Sequence, residues 1–268
     1  MRNLNIWVGG TLVVLLTLLM IISLFYIPYN TNEMNIPLRF HAPDDTYLLG
    51  TDNFGRDILS RLMEGSQTAY LVGTGAVFIG LIGGCLFGAV SGYFGGWIDE
   101  VFMRLIDALL SFPGILLALV FVALFEPNLK TTILAIGIMS IPSFARIIRS
   151  GFIQYKEADF VRAAKNFGAN DGRIIFVHIL PNLLPTIIVT SSLCFSTAIL
   201  VEAALSYLGL GVQPPSPSWG GMLSEAQSYL QKAPWFTLAP GIFITATVLG
   251  FNLLGDGIRE LTDARMKV

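Results

Sequence analysis

Charge is what this sequence has least of. Asp, Glu, Lys and Arg make up 13% of its 268 residues, about half the share found in soluble domains, while 54% of the chain is hydrophobic. That deficit excludes a water-soluble domain of this size, and it excludes intrinsic disorder, which requires few apolar residues and much charge. Cysteine is scarce as well: Cys85 and Cys194 lie in separate apolar runs without CxxC spacing, which excludes a disulfide framework and a zinc site. They read as small core or lipid-facing residues. The two histidines, His41 and His178, form no constellation with them. No lysine follows a glycine, so the phosphate-cradling loop of a nucleotide hydrolase is absent, and neither G-x-S-x-G nor HExxH occurs. A net charge of -2 gives no basic surface for nucleic acid. The sequence thus predicts a non-enzyme with no catalytic, cofactor-binding or metal-binding residue and no nucleic-acid partner.

What is present instead is a series of long apolar runs. About 20 apolar residues cross a bilayer as a helix, and six segments qualify: residues 6–27, 69–94, 102–125, 131–148, 176–208 and 235–255. The first is too long for a signal peptide and lacks a small-residue cleavage site, so it is expected to remain as an anchor. The uncharged stretch after residue 208 contains Gly209, Gly211, Pro214, Pro215 and Pro217; irregular backbone cannot face lipid, so it belongs outside the hydrocarbon or against protein. Six spans put both termini on one side. With the termini in the cytosol, all 16 basic residues except Arg39, Arg56, Arg61, Lys130 and Lys232 fall inside, as the positive-inside rule requires. The expected fold is therefore an all-α polytopic membrane protein with six transmembrane helices and cytosolic termini. Residues 1–68 form an N-terminal span plus extracytoplasmic loop, and residues 69–268 form a core that includes a cytosolic loop over 149–173.

Within the spans, Gly80, Gly84, Gly88, Gly92 and Gly96 recur every four residues, a chain of overlapping GxxxG units that lets another helix approach closely. Close packing is the favoured reading; the alternative is a smooth wall beside a substrate path, with Gly84 and Gly88 at its centre. Glu202 has no partner nearby in sequence and lies within the fifth span, where a path-lining or helix-bridging role and that of a satisfied packing residue are equally open. Asp107 is three residues from Arg104, which predicts an interfacial pair on one helix face, and Asp52 and Asp57 are expected to meet arginines in surface pairs of little energetic weight.

The cytosolic loop carries the strongest functional signal. Phe160, Val161, Ala164 and Phe167 fall on one apolar face of a short helix that starts near Asp159 and stops at Gly168, while Arg162, Lys165 and Asn166 lie away from it. Such a helix either rests on the membrane surface or inserts into a groove on a soluble partner.

At this loop the chain resembles the integral-membrane subunit of bacterial ATP-binding cassette importers of the dipeptide, oligopeptide and nickel group. Ala163-Ala164-Lys165-Asn166-Phe167-Gly168, followed by His178-Ile179-Leu180-Pro181-Asn182, is similar to the family's EAA loop, the coupling helix between helices 4 and 5 that docks on the ATPase; Arg162 stands where the family usually has Glu. Residues 49–61 (LGTDNFGRDILSR) are similar to the signature after the first span in the group's "C" permease. Residues 205–215 with Pro217-Ser218-Trp219-Gly220, and residues 251–257, resemble its outer loop after span five and its C-terminal end. The resemblance implies a permease subunit of the bacterial inner membrane, surrounded by lipid. It would pair as a heterodimer with a homologous permease and work with two ATP-binding subunits and an extracytoplasmic substrate-binding protein. ATP and Mg would be held by the partner ATPases and no cofactor by this chain. Residues 160–164, Phe167 and Gly168 would couple to the ATPase, and di- or oligopeptides or nickel chelates would be the cargo. Two other readings are a stand-alone ion-coupled carrier using Glu202 as its proton site and a membrane scaffold without transport.

Overall fold

The computed structural model describes residues 2–265; Lys267, counted above among the inside charges, lies outside them. The described residues form helices and loops without a β-sheet: α1 (Arg2–Ser23), α2 (Ile58–Phe94), α3 (Gly96–Leu110), α4 (Gly114–Phe125), α5 (Leu129–Lys156), α6 (Asp159–Asn166), α7 (Asp171–Arg173), α8 (Leu180–Tyr207), α9 (Trp219–Ala226) and α10 (Pro234–Arg265). Five segments are long and apolar enough to cross a membrane, and α3 with α4 makes a sixth if that bent pair counts as one span.

Local chemistry places the helix ends. The Asp57 carboxylate accepts from the Ser60 amide at 2.8 Å, so α2 begins at Ile58, and residues 58–68, expected in the loop, are helical. At 37 residues this helix is roughly 55 Å long, well beyond a hydrocarbon core of about 30 Å, so it is longer than one crossing requires. Asn128 caps α5 through the Thr131 amide at 2.9 Å, and Ser218 caps α9 through Gly221 at 3.1 Å. The expected single span over 102–125 is broken: α3 and α4 meet at 84° across Ser111, Phe112 and Pro113, because Pro113 cannot donate and biases Phe112 away from helical angles. Residues 171–207 remain continuous through a π-helical turn, Ile174–Ile179, ahead of Pro181. There the Leu180 amide donates five residues back to Ile175, widening the turn that would otherwise drive the proline ring into a carbonyl.

Four of the five repeat glycines act as close-packing surface; the fifth, Gly96, falls beyond α2 at the start of α3 with φ +57°, where a Cβ would meet nothing within 4 Å. A Cβ on Gly80 would meet Ser140 and Phe144; on Gly84, Phe144 and Ala145; on Gly88, the Ala145 carbonyl and Ile148; on Gly92, Arg149 and Phe152. Every partner lies on α5, so α2 and α5 form the central pair of the bundle. The α1 helix docks at the periphery on α10, where Gly257 faces Ile6, Gly9 faces Leu253 and Leu254, and Gly250 faces Leu12 and Val13. This antiparallel register brings the start of α1 and the end of α10 to one end of the bundle. The same end holds the start of α8 and the last turns of α5, since Ile147, Pro185 and Arg259 line a single cavity. The loop over residues 24–57 and α9 occupy the opposite end. There Trp219 is buried and its indole donates to the Leu62 carbonyl at 3.0 Å; in the proline- and glycine-rich segment before it Gly211 and Pro217 are buried, while Gly209, Pro214 and Pro215 are exposed.

Candidate functional site

At the first end of the bundle, α6 follows α5 after a two-residue break and ends where Gly168 takes φ +84°, with the Gly168 amide donating to Lys165 O and the Ala169 amide to Ala164 O, both at 3.0 Å. A short helix stopped by glycine is what the sequence predicts, and α6 spans Asp159–Asn166. Its apolar residues do not share one fate. Val161 is buried in a cluster with Tyr93, Phe152, Ile174 and Ile179, and Ala164 is half-buried beside it. Phe160 is 42% exposed and Phe167 91% exposed, and Ala163 between them is exposed too. Phe160, Ala163 and Phe167, spaced i, i+3 and i+7, thus form an outward apolar stripe flanked by the exposed Arg162 and Lys165. Arg162 reaches back to Glu157 at 3.2 Å.

Polar ties brace the elements around this helix. The Tyr93 hydroxyl at the end of α2 donates to Asp171 Oδ1 at 2.5 Å. Arg149 on α5 makes a two-pronged pair with Asp99 on α3, at 2.5 and 2.6 Å, and Ser91 also donates to Asp99. One turn earlier, Arg146 bonds Asp107 at 2.7 Å. Asp107 therefore pairs across helices, and Arg104 bonds Glu100 instead. The predicted Asp107–Arg104 pair is not formed, because Arg146 approaches from the neighbouring helix.

Glu202 is fully buried in α8. One carboxylate oxygen accepts from Ser206 Oγ at 2.7 Å, and the other has no partner among the described residues. Gly84 and Gly88 lie against α5, as above. Glu202 and the glycines therefore sit at separate places on separate helices.

The opposite end holds a polar cluster that the sequence reading undervalued. Residues 51–57 fold as a tight hairpin, with Asp52 N donating to Arg56 O at 3.0 Å and Gly55 N to Asp52 O at 3.1 Å. Gly55 takes φ +75°, where a Cβ would strike the Asn35 carbonyl. The hairpin buries the Asp52 carboxylate, whose Oδ1 accepts the Phe54 and Arg56 amides at 2.8 and 3.0 Å. Its Oδ2 accepts Arg56 Nε and Arg61 Nη1, both at 2.6 Å. Both guanidinium groups then reach Glu225 on α9: Arg56 Nη2 to Oε2 at 2.6 Å, Arg61 Nη1 to Oε2 at 2.9 Å and Arg61 Nη2 to Oε1 at 3.2 Å. The expected surface pairing of Asp52 is thus corrected to a buried two-by-two ion cluster, and Asp57 serves as a helix cap. Sequence reasoning missed Glu225, which is 164 residues from Arg61 and carries no local signal. Among the described residues no group of His, Cys, Asp and Glu could hold a metal ion.

Solved structures share this fold. The chain superposes on the MetNI methionine ABC transporter in inward-facing conformations with a TM-score of 0.62 at 15% identity, covering 74% of this chain and 95% of that one. A second crystal form gives the same TM-score at 16% identity, covering 75% and 95%. The chain belongs to the family of binding-protein-dependent transport system inner membrane components, whose sequence profile matches residues 84–268, and is thus a permease-type subunit of the ATP-binding cassette class. Among its relatives, the dipeptide transport system permease protein DppC of Alkalihalophilus pseudofirmus is 47% identical over 235 residues, 88% of this chain and 77% of the relative. The glutathione transport system permease protein GsiD of Pectobacterium atrosepticum is 39% identical over 260 residues, 97% and 86% of the two chains. The di/tripeptide transport system permease protein DppC of Pseudomonas aeruginosa is 41% identical over 246 residues, 90% and 81%.

Proposed function

We propose that this chain is one of two membrane-spanning subunits of an importer for small peptides in a bacterial inner membrane. It pairs with a homologous permease, is driven by two separate ATP-binding subunits and receives cargo from an extracytoplasmic binding protein. The observation that carries this reading is the outward stripe of α6: a soluble-facing Phe160, Ala163 and Phe167, with basic flanks, on a helix whose other face is locked into the span core by Val161. An apolar stripe left open beside fixed spans suits a groove on a partner, read as i, i+3, i+7 anchors. Force applied to α6 reaches α2 through Val161, which packs in one cluster with Tyr93, and α5 through the chain itself, the arrangement needed for two alternating states biased by a partner's nucleotide cycle.

In this reading the α6 end and both termini are cytosolic, α3 and α4 form one broken span among six, and residues 24–57 with α9 face the binding protein. Relatives named for dipeptide, di/tripeptide and glutathione transport support small peptides as the cargo. Gly84 and Gly88 shape the path by setting the α2–α5 separation, and Glu202 helps hold α8 beside it.

The test is reconstitution of the assembled transporter with wild-type chain, Phe160→Ala, Phe167→Ala or Gly168→Ala. Ala at Gly168 meets no atom within 4 Å but must adopt a left-handed φ, a local strain of roughly 1–2 kcal/mol. All three variants are expected to insert and keep their spans while losing ATPase docking and ATP-driven uptake. Normal ATPase assembly and uptake in all three refutes the coupling role. Uptake by the chain alone, driven by a proton gradient without ATP, would instead establish an ion-coupled carrier.

A further inference from the structure

The ion cluster at the α9 end borders an open cavity of about 380 Å³, within the size range of small-molecule sites. Arg56, Arg61 and Glu225 line it on one side; Phe54, Met34 and Pro215 are among its apolar walls. The two carboxylates in the cluster are not equivalent. Asp52 is fully buried and held by two backbone amides as well as both guanidinium groups. Glu225 is 30% exposed at its side chain, stands at the cavity wall and is held only by the arginines. The arginines are fixed independently of Glu225: each is bonded to Asp52, and the Arg56 guanidinium carbon sits 4.8 Å from the Phe54 ring centroid. Two guanidinium groups, each bonded to Asp52, thus converge on one partly exposed carboxylate, and the planar fork of Arg matches carboxylate geometry.

We propose that this cavity is a binding site for the free carboxylate of a small peptide, with Arg56 and Arg61 as its ligands and Glu225 as an internal occupant that the incoming carboxylate displaces. The proposal rests on the small-peptide reading above and adds the group recognised and the residues that recognise it. The apolar walls, stiffened by proline, accept the side chains, while Asp52 keeps the arginines oriented and partly neutralised so that a bound carboxylate can leave again.

The experiment uses the complete permease–ATPase complex in lipid nanodiscs without the binding protein, titrated with trialanine and with trialanine amide by saturation-transfer NMR and calorimetry. Trialanine is expected to bind and the amide not to. Glu225→Gln removes the competing charge and is expected to tighten trialanine binding about tenfold, the factor that follows if the unoccupied receptor is present about a tenth of the time, with no gain for the amide. Arg61→Lys keeps a charge beside Asp52 but loses the fork, and is expected to weaken binding in both backgrounds; ATP hydrolysis by each variant complex checks assembly. Equal binding of acid and amide, or a Glu225→Gln complex no tighter than wild type, overturns the site. Uptake of trialanine by the full system with its binding protein is measured alongside. Uptake without carboxylate-dependent binding removes this site and leaves the transport reading standing, whereas absent uptake with carboxylate-dependent binding removes the transport reading and leaves the site.

Discussion

The α2–α5 contact allows the packing argument to be tested at a single atom. Replacing Gly84 by Ala puts a Cβ against Phe144 Cβ, 2.9 Å from the Ala145 amide nitrogen and 3.0 Å from the Phe144 carbonyl carbon. Two of those three atoms are main chain and cannot rotate away, so α5 must retreat from α2 along their shared length. Overpacking of a close-packed core costs roughly 1–3 kcal/mol, offset in part by the advantage of about 1 kcal/mol that Ala has over Gly in a helix. The control is Gly241 on α10, where an added Cβ meets nothing within 4 Å and only the propensity gain operates. Gly241→Ala should therefore match or exceed wild type, and Gly84→Ala should fall below it, the two differing by roughly 1–3 kcal/mol. Gly88→Ala presses on the Ala145 carbonyl, one turn along the same seam, so the double variant should cost less than the two singles together, because one retreat of α5 relieves both. The assay is the fraction of intact protein surviving a heating series, read by size-exclusion chromatography. Indistinguishable midpoints for Gly84→Ala and Gly241→Ala would refute the claim that the repeat exists to bring α2 and α5 together.

The ion pairs supply two further predictions. Asp52→Asn leaves two buried guanidinium groups facing a single partly exposed carboxylate, and breaking a buried pair from one side costs about 3–5 kcal/mol; thermal midpoints should fall much further than for Glu225→Gln at the exposed edge of the same cluster. Double-mutant cycles should separate the two α3–α5 pairs. Arg146–Asp107, with side chains 55% and 62% exposed, should couple by about 0–1 kcal/mol. Arg149–Asp99, at 33% and 21% and with two prongs, should couple more strongly; equal values would show that the fork and the Ser91 bond add nothing.

Much of this fold was legible because its determinants are local. Uncharged runs marked the spans, a four-residue glycine period marked the α2–α5 contact, and a lone Gly168 marked the end of α6. The break in the third span was not legible, since Pro142, Pro185 and Pro240 all lie inside continuous helices while Pro113 sits between two. A proline states only that an amide bond is missing, and neighbouring helices decide whether the chain bends. The division of the α6 face was hidden for a related reason. Phe160 and Val161 are about 100° apart around the helix, so an apolar arc that includes both is wide enough to serve two surfaces, and periodicity cannot say where one ends.

Energetic weight is the part least available to a one-dimensional reading. Asp52–Arg56 and Glu100–Arg104 have the same spacing, an acid four residues before an arginine, and each forms its bond, at 2.6 and 2.5 Å. The second pair is 60% and 77% exposed on a helix surface, where such a bond contributes a few tenths of a kcal/mol. The first has its acid fully buried, and losing that acid would strand two charges. The identities of residues 52 and 56 alone do not make this difference. It comes from α9, which brings Glu225 across from 169 residues away, and from the hairpin backbone that turns two amides onto Asp52. The motif around Asp52 therefore gains its chemical meaning only when the two loops at that end of the bundle meet, which is why a carboxylate-sized site there was invisible until the fold was assembled.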